Sequence, residues 1–199
     1  MHDRATLAFY GSDASKYVAR YRGEQHRDLM GFLDRLPPAA RVLELGCGGG
    51  GDAAAMLARG FDAVPTDGSP EMAQEAAVFL GRPVEVLMFE DLADEDVYDG
   101  VWASASLLHV PIADLMTILT RVHRALKPSG LFYASYKTGA GEGRDQFGRY
   151  YNYPSREVLV ASYIAAGAWS SLEVEEQQGS GYDNQSTRWA AVIARTAFG

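Results

Sequence analysis

Three carboxylates around a run of glycines carry the first chemical signal in this chain: Glu44, Asp52 and Asp67 beside Gly46-Cys47-Gly48-Gly49-Gly50-Gly51. Val42 to Leu45 reads as a short apolar strand interrupted by one acid, and Asp52 to Arg59 reads as a helix closed by Gly60. A strand that turns into a helix through glycines lets a ligand approach the backbone, because no Cβ stands in the way. The helix N-terminus presents unsatisfied N–H groups at the same spot. Asp67 stands about 20 residues further on, where a ribose-binding acid is expected, and its carboxylate can accept hydrogen bonds from both ribose hydroxyls. The chemistry implied is recognition of a nucleoside.

The spacing leaves two nucleoside ligands open. Gly46-x-Gly48-x-x-Gly51 satisfies the dinucleotide fingerprint, which would make the chain an NAD(P)-dependent oxidoreductase with a Rossmann domain. Glu44 and Asp52 argue for the other ligand, since an acidic mouth repels a diphosphate and draws in a cation. S-adenosylmethionine carries an ammonium and a sulfonium on an adenosine. The pattern Glu44-x-Gly46-x-Gly48-x-Gly50 resembles the first motif of class I S-adenosylmethionine-dependent methyltransferases. Leu107-Leu108-His109-Val110 and Leu126-Lys127-Pro128-Ser129-Gly130 strengthen the resemblance. It implies an α/β fold, a three-layer Rossmann-like sandwich whose seven-stranded, mostly parallel sheet runs in the order 3-2-1-4-5-7-6 with the last strand antiparallel. It also implies S-adenosylmethionine as cofactor and contacts to it from Glu44, Gly46, Cys47 and Gly48.

The remaining candidates are placed by the elements expected to carry them. Residues 13–35 read as two helical pieces, the first capped by Ser12 or Asp13, within an N-terminal helical cap over residues 1–36. In the family such a cap closes over the cofactor, so Tyr17 and one of Arg20 or Arg22 are expected near the methionine carboxylate. After the second strand, residues 61–67, Ser69 caps a helix with Pro70 at its first position. By resemblance, Gly68, Ser69 and Met72 lie along the adenine. Residues 83–89 alternate as a third strand, and Phe89 and Glu90 stand where the family meets the adenine amino group. The aspartate that many members carry near Met88 is missing here. Ala103 and Ser104 end the fourth strand as further expected cofactor contacts, and His109 follows as either a general base or a structural histidine. Enzymes methylating DNA adenine or glutamine side chains resemble one another in an Asn/Asp-Pro-Pro-Tyr turn here; Ala103-Ser104-Ala105-Ser106 replaces it. Lys137 ends the fifth strand as a first candidate acceptor contact. A glycine-rich loop from Thr138 to Pro154 then brings Arg149 and Tyr150 as candidate acceptor contacts. Two terminal strands, residues 169–176 and 187–195, complete the sheet.

Composition narrows the function classes. At 199 residues with 47% hydrophobic and 22% charged content, the chain reads as one domain over residues 1–199. A net charge of −8 argues against nucleic acid as partner. No stretch of about 20 apolar residues suggests a membrane span, no leader pattern precedes the fold, and the single cysteine, Cys47, supports neither a disulfide nor a metal site. A soluble cytoplasmic enzyme acting on a small molecule is the expectation. Within the family, the chain resembles small bacterial methyltransferases of the tellurite-resistance type, through Tyr150-Tyr151 to Trp169 and the strand Arg188 to Arg195. A protein that binds S-adenosylmethionine without turnover is the second alternative. The acceptor, the attacking atom and the oligomeric state stay open.

Overall fold

The computed structural model describes residues 3–21, 26–139, 141–182 and 185–198; Arg22 lies outside them. Helix α1 (Arg4–Tyr21) is followed by the short α2 (Leu29–Leu33), and then strands and helices alternate. β1 (Arg41–Leu45), α3 (Gly51–Ala58), β2 (Asp62–Asp67), α4 (Pro70–Leu80) and β3 (Glu85–Val86) form the first half. β4 (Tyr98–Ala103), α5 (Ile112–Ala125), β5 (Leu126–Thr138), β6 (Gly143–Arg144) and β7 (Tyr150–Tyr151) come next. α6 (Arg156–Ala166), β8 (Trp169–Ser180) and β9 (Ser186–Thr196) finish the chain.

Seven strands make one sheet in the order β3-β2-β1-β4-β5-β9-β8. Numbered without the separate β6–β7 pair, this is the expected 3-2-1-4-5-7-6. β1 to β5 pair in parallel, and β9 runs antiparallel to both β5 and β8. Alternation along the central strands divides the core. Val101, Ala103, Phe132 and Ala134 face a cluster with Leu115, Leu119 and Leu159 of α5 and α6. Val42, Trp102, Leu131 and Tyr133 face the opposite cluster with Leu29, Phe32 and Met56 of α2 and α3. Period-two strands packed on period-3.6 helices thus give three layers.

Several boundaries differ from the sequence reading, beyond a shorter α2 and a longer β8. α1 starts at Arg4, nine residues before Asp13, because the Asp3 carboxylate accepts the Thr6 N–H at 2.8 Å and caps the helix there. The third strand keeps only Glu85–Val86, since a 3-10 turn at Phe89–Asp91 takes over its expected end. β5 begins at Leu126, where it pairs with Tyr98 before Ser129 turns into a positive φ. The loop after β5 contains the β6–β7 hairpin, whose tip is tied by Asp145 accepting the N–H groups of Phe147 and Arg149.

Candidate active site

The carboxyl ends of β1, β2, β4 and β5 all point to one side of the sheet, and the turns that leave them build the site. Gly46 opens the turn after β1 at φ +77°, and a Cβ there would stand 2.6 Å from Cβ of Ser106. Only glycine fits both conditions. The N–H groups of Gly46 and Cys47 then donate to the Thr66 carbonyl, which fixes the turn against β2. Gly48 reaches across to β2 and donates its N–H to Oδ2 of Asp67 at 3.0 Å. Ser69, the side-chain cap of α4, donates its own N–H to Oδ1 at 2.9 Å. Each carboxylate oxygen keeps capacity for a further hydrogen bond. Burial pushes the Asp67 carboxyl up to about 6, against the pull of those N–H groups.

Two adjoining chambers meet at this turn. The smaller, about 140 Å³, is lined by Asp67 and Gly68 and walled by Leu7, Met72, Met88 and Phe89. The larger, about 690 Å³, runs from Glu44 and Cys47 to Lys137, Arg149, Tyr151 and Trp189. Tyr10, Tyr17, Gly46, Gly48, Ser104 and His109 line both, so the two chambers share a neck. Ala105, also at the neck, holds φ +50° and donates its N–H to Oγ of Ser135.

The charges of the wide chamber are disposed unevenly. Glu44 is 3% exposed, and its Oε2 has no hydrogen-bond partner among the described residues. Burial first, and then Asp52 and Asp67, push its carboxyl well above the usual range. A ligand cation at Oε2 would restore its ionised form. Asp52 is less available than its position in sequence suggests: its oxygens accept the N–H of His26 at 2.6 Å and the indole N–H of Trp102 at 2.8 Å. Burial pushes the Cys47 thiol up and keeps it neutral.

A chain of hydrogen bonds crosses the neck. His109 donates Nδ1–H to the Tyr150 carbonyl at 2.6 Å, since a carbonyl can only accept. Its Nε2 therefore accepts from the Tyr10 hydroxyl at 3.0 Å. The Tyr10 oxygen in turn accepts from Nη1 of Arg149 at 3.3 Å, and Arg149 is paired with Asp145 at 2.6 Å. Burial lowers the imidazole to about 4. Asn152, buried beneath, donates to the carbonyls of Leu107 and Val110 and so holds the turn that carries His109.

Most of the residues expected from the sequence are brought together here. Ser69, Glu90, Ala103 and Tyr150 do not line either chamber. Ser69 acts one step away by holding Asp67, and Ala103 is buried in β4. Tyr150 turns its hydroxyl to Glu142 and offers the site only its carbonyl; Tyr151 faces the cleft instead. The sequence reading missed Tyr10, Tyr182 and Trp189. Tyr10, Tyr17 and Tyr21 form one helical stripe, a signal legible once the helix is started at Arg4. Tyr182 stacks on Tyr17 with centroids 5.3 Å apart, from the far end of the long β8–β9 hairpin. Among the described residues no group of three His, Cys, Asp or Glu side chains is placed to hold a metal ion, and no helix is long and apolar enough to cross a membrane.

The sequence pattern of a family described as a methyltransferase domain matches residues 17–190. An uncharacterised methyltransferase of Synechocystis is 34% identical over 99 residues, which cover 49% of this chain and 47% of that protein. A ubiquinone biosynthesis O-methyltransferase of Xanthomonas campestris is 36% identical over 105 residues, 49% of this chain and 43% of that protein. The chain thus spans about half the length of these curated relatives. Among solved structures, the 1,6-didemethyltoxoflavin-N1-methyltransferase of Burkholderia thailandensis, bound to 1,6-didemethyltoxoflavin and S-adenosylhomocysteine, is similar with a TM-score of 0.77 at 21% identity. That likeness covers 97% of this chain and 88% of the other, and concerns the fold.

Proposed function

Because this chain belongs to the methyltransferase-domain family, we propose that it transfers a methyl group from S-adenosylmethionine to a small-molecule acceptor. The observation that carries this reading is the joining of two unlike chambers at Gly46–Gly48. One is apolar with a ribose-type carboxylate, Asp67, and the other holds the buried Glu44 carboxyl. An adenosine suits the first: its ribose hydroxyls would bond Asp67, and its ring would lie between Met72, Met88 and Phe89. The cofactor ammonium would pair with Glu44. A pyrophosphate at that position would add negative charge beside Asp52 and Asp67, which already push the Glu44 carboxyl up, and this disfavours the oxidoreductase alternative.

Transfer from a sulfonium is an in-line displacement, so the protein's task is to hold the acceptor in line and to exclude water. The neck at Tyr10, Ser104 and His109 is where the two substrates would meet. We assign His109 a positioning role first. Its Nε2 already holds the Tyr10 hydroxyl, and an imidazole lowered to about 4 is a weak base for a hydroxyl proton. The size of the wide chamber supports a small acceptor and turnover over a purely cofactor-sensing role. The ubiquinone and toxoflavin enzymes named above act on small molecules, in keeping with that reading. The finer likeness to tellurite-resistance methyltransferases is proposed only as kinship on the acceptor side. The chain's net charge of −8 supports a partner other than nucleic acid. We place the reaction in the cytoplasm, as a hypothesis that cell fractionation tests.

Calorimetric titration tests the reading directly. S-adenosylhomocysteine should bind and NADH and NADPH should not; stabilisation by the dinucleotides alone would sink it. Asp67→Ala should weaken S-adenosylhomocysteine binding by about 1–3 kcal/mol, the scale of hydrogen bonds to a charged group. Unchanged affinity would put the ribose elsewhere.

A further inference from the structure

Tyr10 comes from α1, lines both chambers, and meets His109 at the neck. Each hydrogen bond around its hydroxyl has one direction. The Tyr150 carbonyl takes Nδ1–H of His109 and leaves Nε2 as a lone pair, so the one hydroxyl hydrogen of Tyr10 points at the imidazole. From the other side, Nη1–H of Arg149 points at the Tyr10 oxygen. Arg149 is itself fixed, because its Nε and Nη2 donate to Oδ2 of Asp145 at 2.9 and 2.6 Å and its guanidinium lies 4.7 Å from the centre of the Phe9 ring. Burial pushes the Tyr10 phenol up, and Arg149 pulls against it. Neither Tyr10 nor His109 has an O–H or N–H left to give a ligand, whereas the Tyr10 oxygen still offers lone-pair density. An anion set against this pair would meet lone pairs. A hydroxyl hydrogen would find an acceptor.

Resting on the methyl-transfer reading, we infer that Tyr10 touches the attacking atom of the acceptor, and that this atom is the oxygen of an un-ionised aromatic hydroxyl whose hydrogen points at the Tyr10 oxygen. The attacking oxygen then lies at the neck, where the methyl group is delivered. Tyr17 at the neck and Tyr151, whose ring centre is 4.8 Å from that of His109, offer flat faces to an aromatic acceptor. An electron pair of the hydroxyl oxygen forms the new C–O bond, and the S–CH3 bond breaks with its pair going to sulfur. The hydroxyl proton passes to the Tyr10 oxygen as the Tyr10 proton passes to Nε2 of His109. A methyl ether, S-adenosylhomocysteine and an imidazolium result, so the positive charge has moved from sulfur to the ring. An imidazole lowered to about 4 takes no proton from the resting hydroxyl. It suits a late transfer, because an oxygen already bonded to the methyl group is a far stronger acid than that imidazolium. At neutral pH the imidazolium then gives its proton to solvent and the pair is reset.

The test follows single turnovers of S-adenosylmethionine with three flat probes: 2-naphthol, which carries the hydroxyl, 2-naphthoate, an anion, and 2-methoxynaphthalene, which has neither. Only 2-naphthol should raise S-adenosylhomocysteine formation above the rate with cofactor alone, and 2-methoxynaphthalene should be its product. The wild-type rate should fall in D2O, because two protons move with the methyl group. Tyr10→Phe keeps the ring and removes the proton path. Its rate should fall by about 10²-fold or more, the scale of a positioned proton acceptor. Its affinity for S-adenosylhomocysteine should stay within about threefold, and what rate remains should lose the D2O effect, which a purely structural role for Tyr10 would leave in place. Methylation of 2-naphthoate in preference to 2-naphthol, no methylation of 2-naphthol, no slowing in D2O, or an unchanged rate in Tyr10→Phe would each overturn the inference. S-adenosylhomocysteine binding is measured on the same samples. Its failure in the wild-type protein sinks the methyl-transfer reading instead, and its failure only in Tyr10→Phe leaves the wild-type choice of probe and D2O effect to decide.

Discussion

His109 shows how burial redirects a side chain whose type suggests acid–base chemistry. In the unfolded chain an imidazole takes up its proton near 6.5, whereas the folded protein holds it neutral down to about 4. Between those values the unfolded state binds the extra proton, so this residue makes stability fall as the pH drops. Asp67 acts in the opposite sense. Its carboxyl rises from 3.8 to about 6, so the folded state takes up a proton first and gains stability on acidification over that window. His109→Gln removes the first contribution and leaves the second. Urea unfolding at pH 7 and pH 5 should show the variant gaining stability relative to wild type as the pH falls; identical trends in both would place no buried neutral imidazole at this position. At this scale, motif spacing made Asp67 and the glycines legible, because a turn of fixed length leaves each residue one place to be, whereas Met72 was expected there only through the family resemblance. It did not distinguish Tyr150 from Tyr151. Successive strand residues face opposite ways, and nothing local to this two-residue strand says which one faces the cleft.

α1 is the element that closes the small chamber, and its fastening lies outside the cofactor contacts. Asp3 accepts from Arg144 of β6 at 2.6 and 3.0 Å, and Oγ1 of Thr6 accepts the N–H of Tyr150 at 2.9 Å. The Arg144 guanidinium beside Asp3 holds that carboxyl well below its usual range. Along the helix, Val18 lies where a Cβ on Gly49 would meet it at 3.2 Å, so α1 also rests on the glycine turn. Through Thr6, Leu7, Tyr10 and Tyr17 this helix covers the small chamber, so loosening it should ease a ligand's release. Arg144→Ala should speed S-adenosylhomocysteine release by up to about fivefold, since a half-exposed ion pair contributes about 0.2–1 kcal/mol. The wild-type release rate should rise with salt towards that of the variant. Stopped-flow release at low and high salt checks both; rates insensitive to salt and to the substitution would show that the clasp does not hold the lid. The clasp was not legible in the sequence, because Asp3 and Arg144 are joined only by the tertiary fold. The strand–helix alternation that carries the glycine turn was, because period and caps such as Ser69 and Ser155 are local.

Across the whole molecule, the two ends of the chain close the site together. α1 comes from the beginning, and the β8–β9 hairpin from the end runs on past the sheet edge to bring Gln177, Tyr182 and Trp189 to the cleft. The expected sheet order told where these strands pair but not how far they extend, since a hairpin's reach depends on the partner its tip finds. Here that partner is aromatic. Tyr182 stacks on Tyr17, meets Phe9 and Phe147 edge-on at 5.9 and 5.4 Å, and lies 4.7 Å beneath the Arg20 guanidinium. Aromatic contacts of this kind contribute about 0.5–1.5 kcal/mol each beyond the area they bury. Tyr182 lines the wide chamber and has no place in the small one, so its loss should bear more on the acceptor than on the adenosine end of the cofactor. Tyr182→Ala should lower overall stability by about 1–3 kcal/mol, as the loss of a well-packed ring does. It should keep S-adenosylhomocysteine affinity within about threefold, less than 1 kcal/mol. The acceptor KM should rise by about tenfold or more through the opened wall. Parallel measurement of cofactor affinity and acceptor KM separates the chambers. If both weaken equally, the hairpin tip holds the helix over the cofactor, and the acceptor lies elsewhere in the cleft.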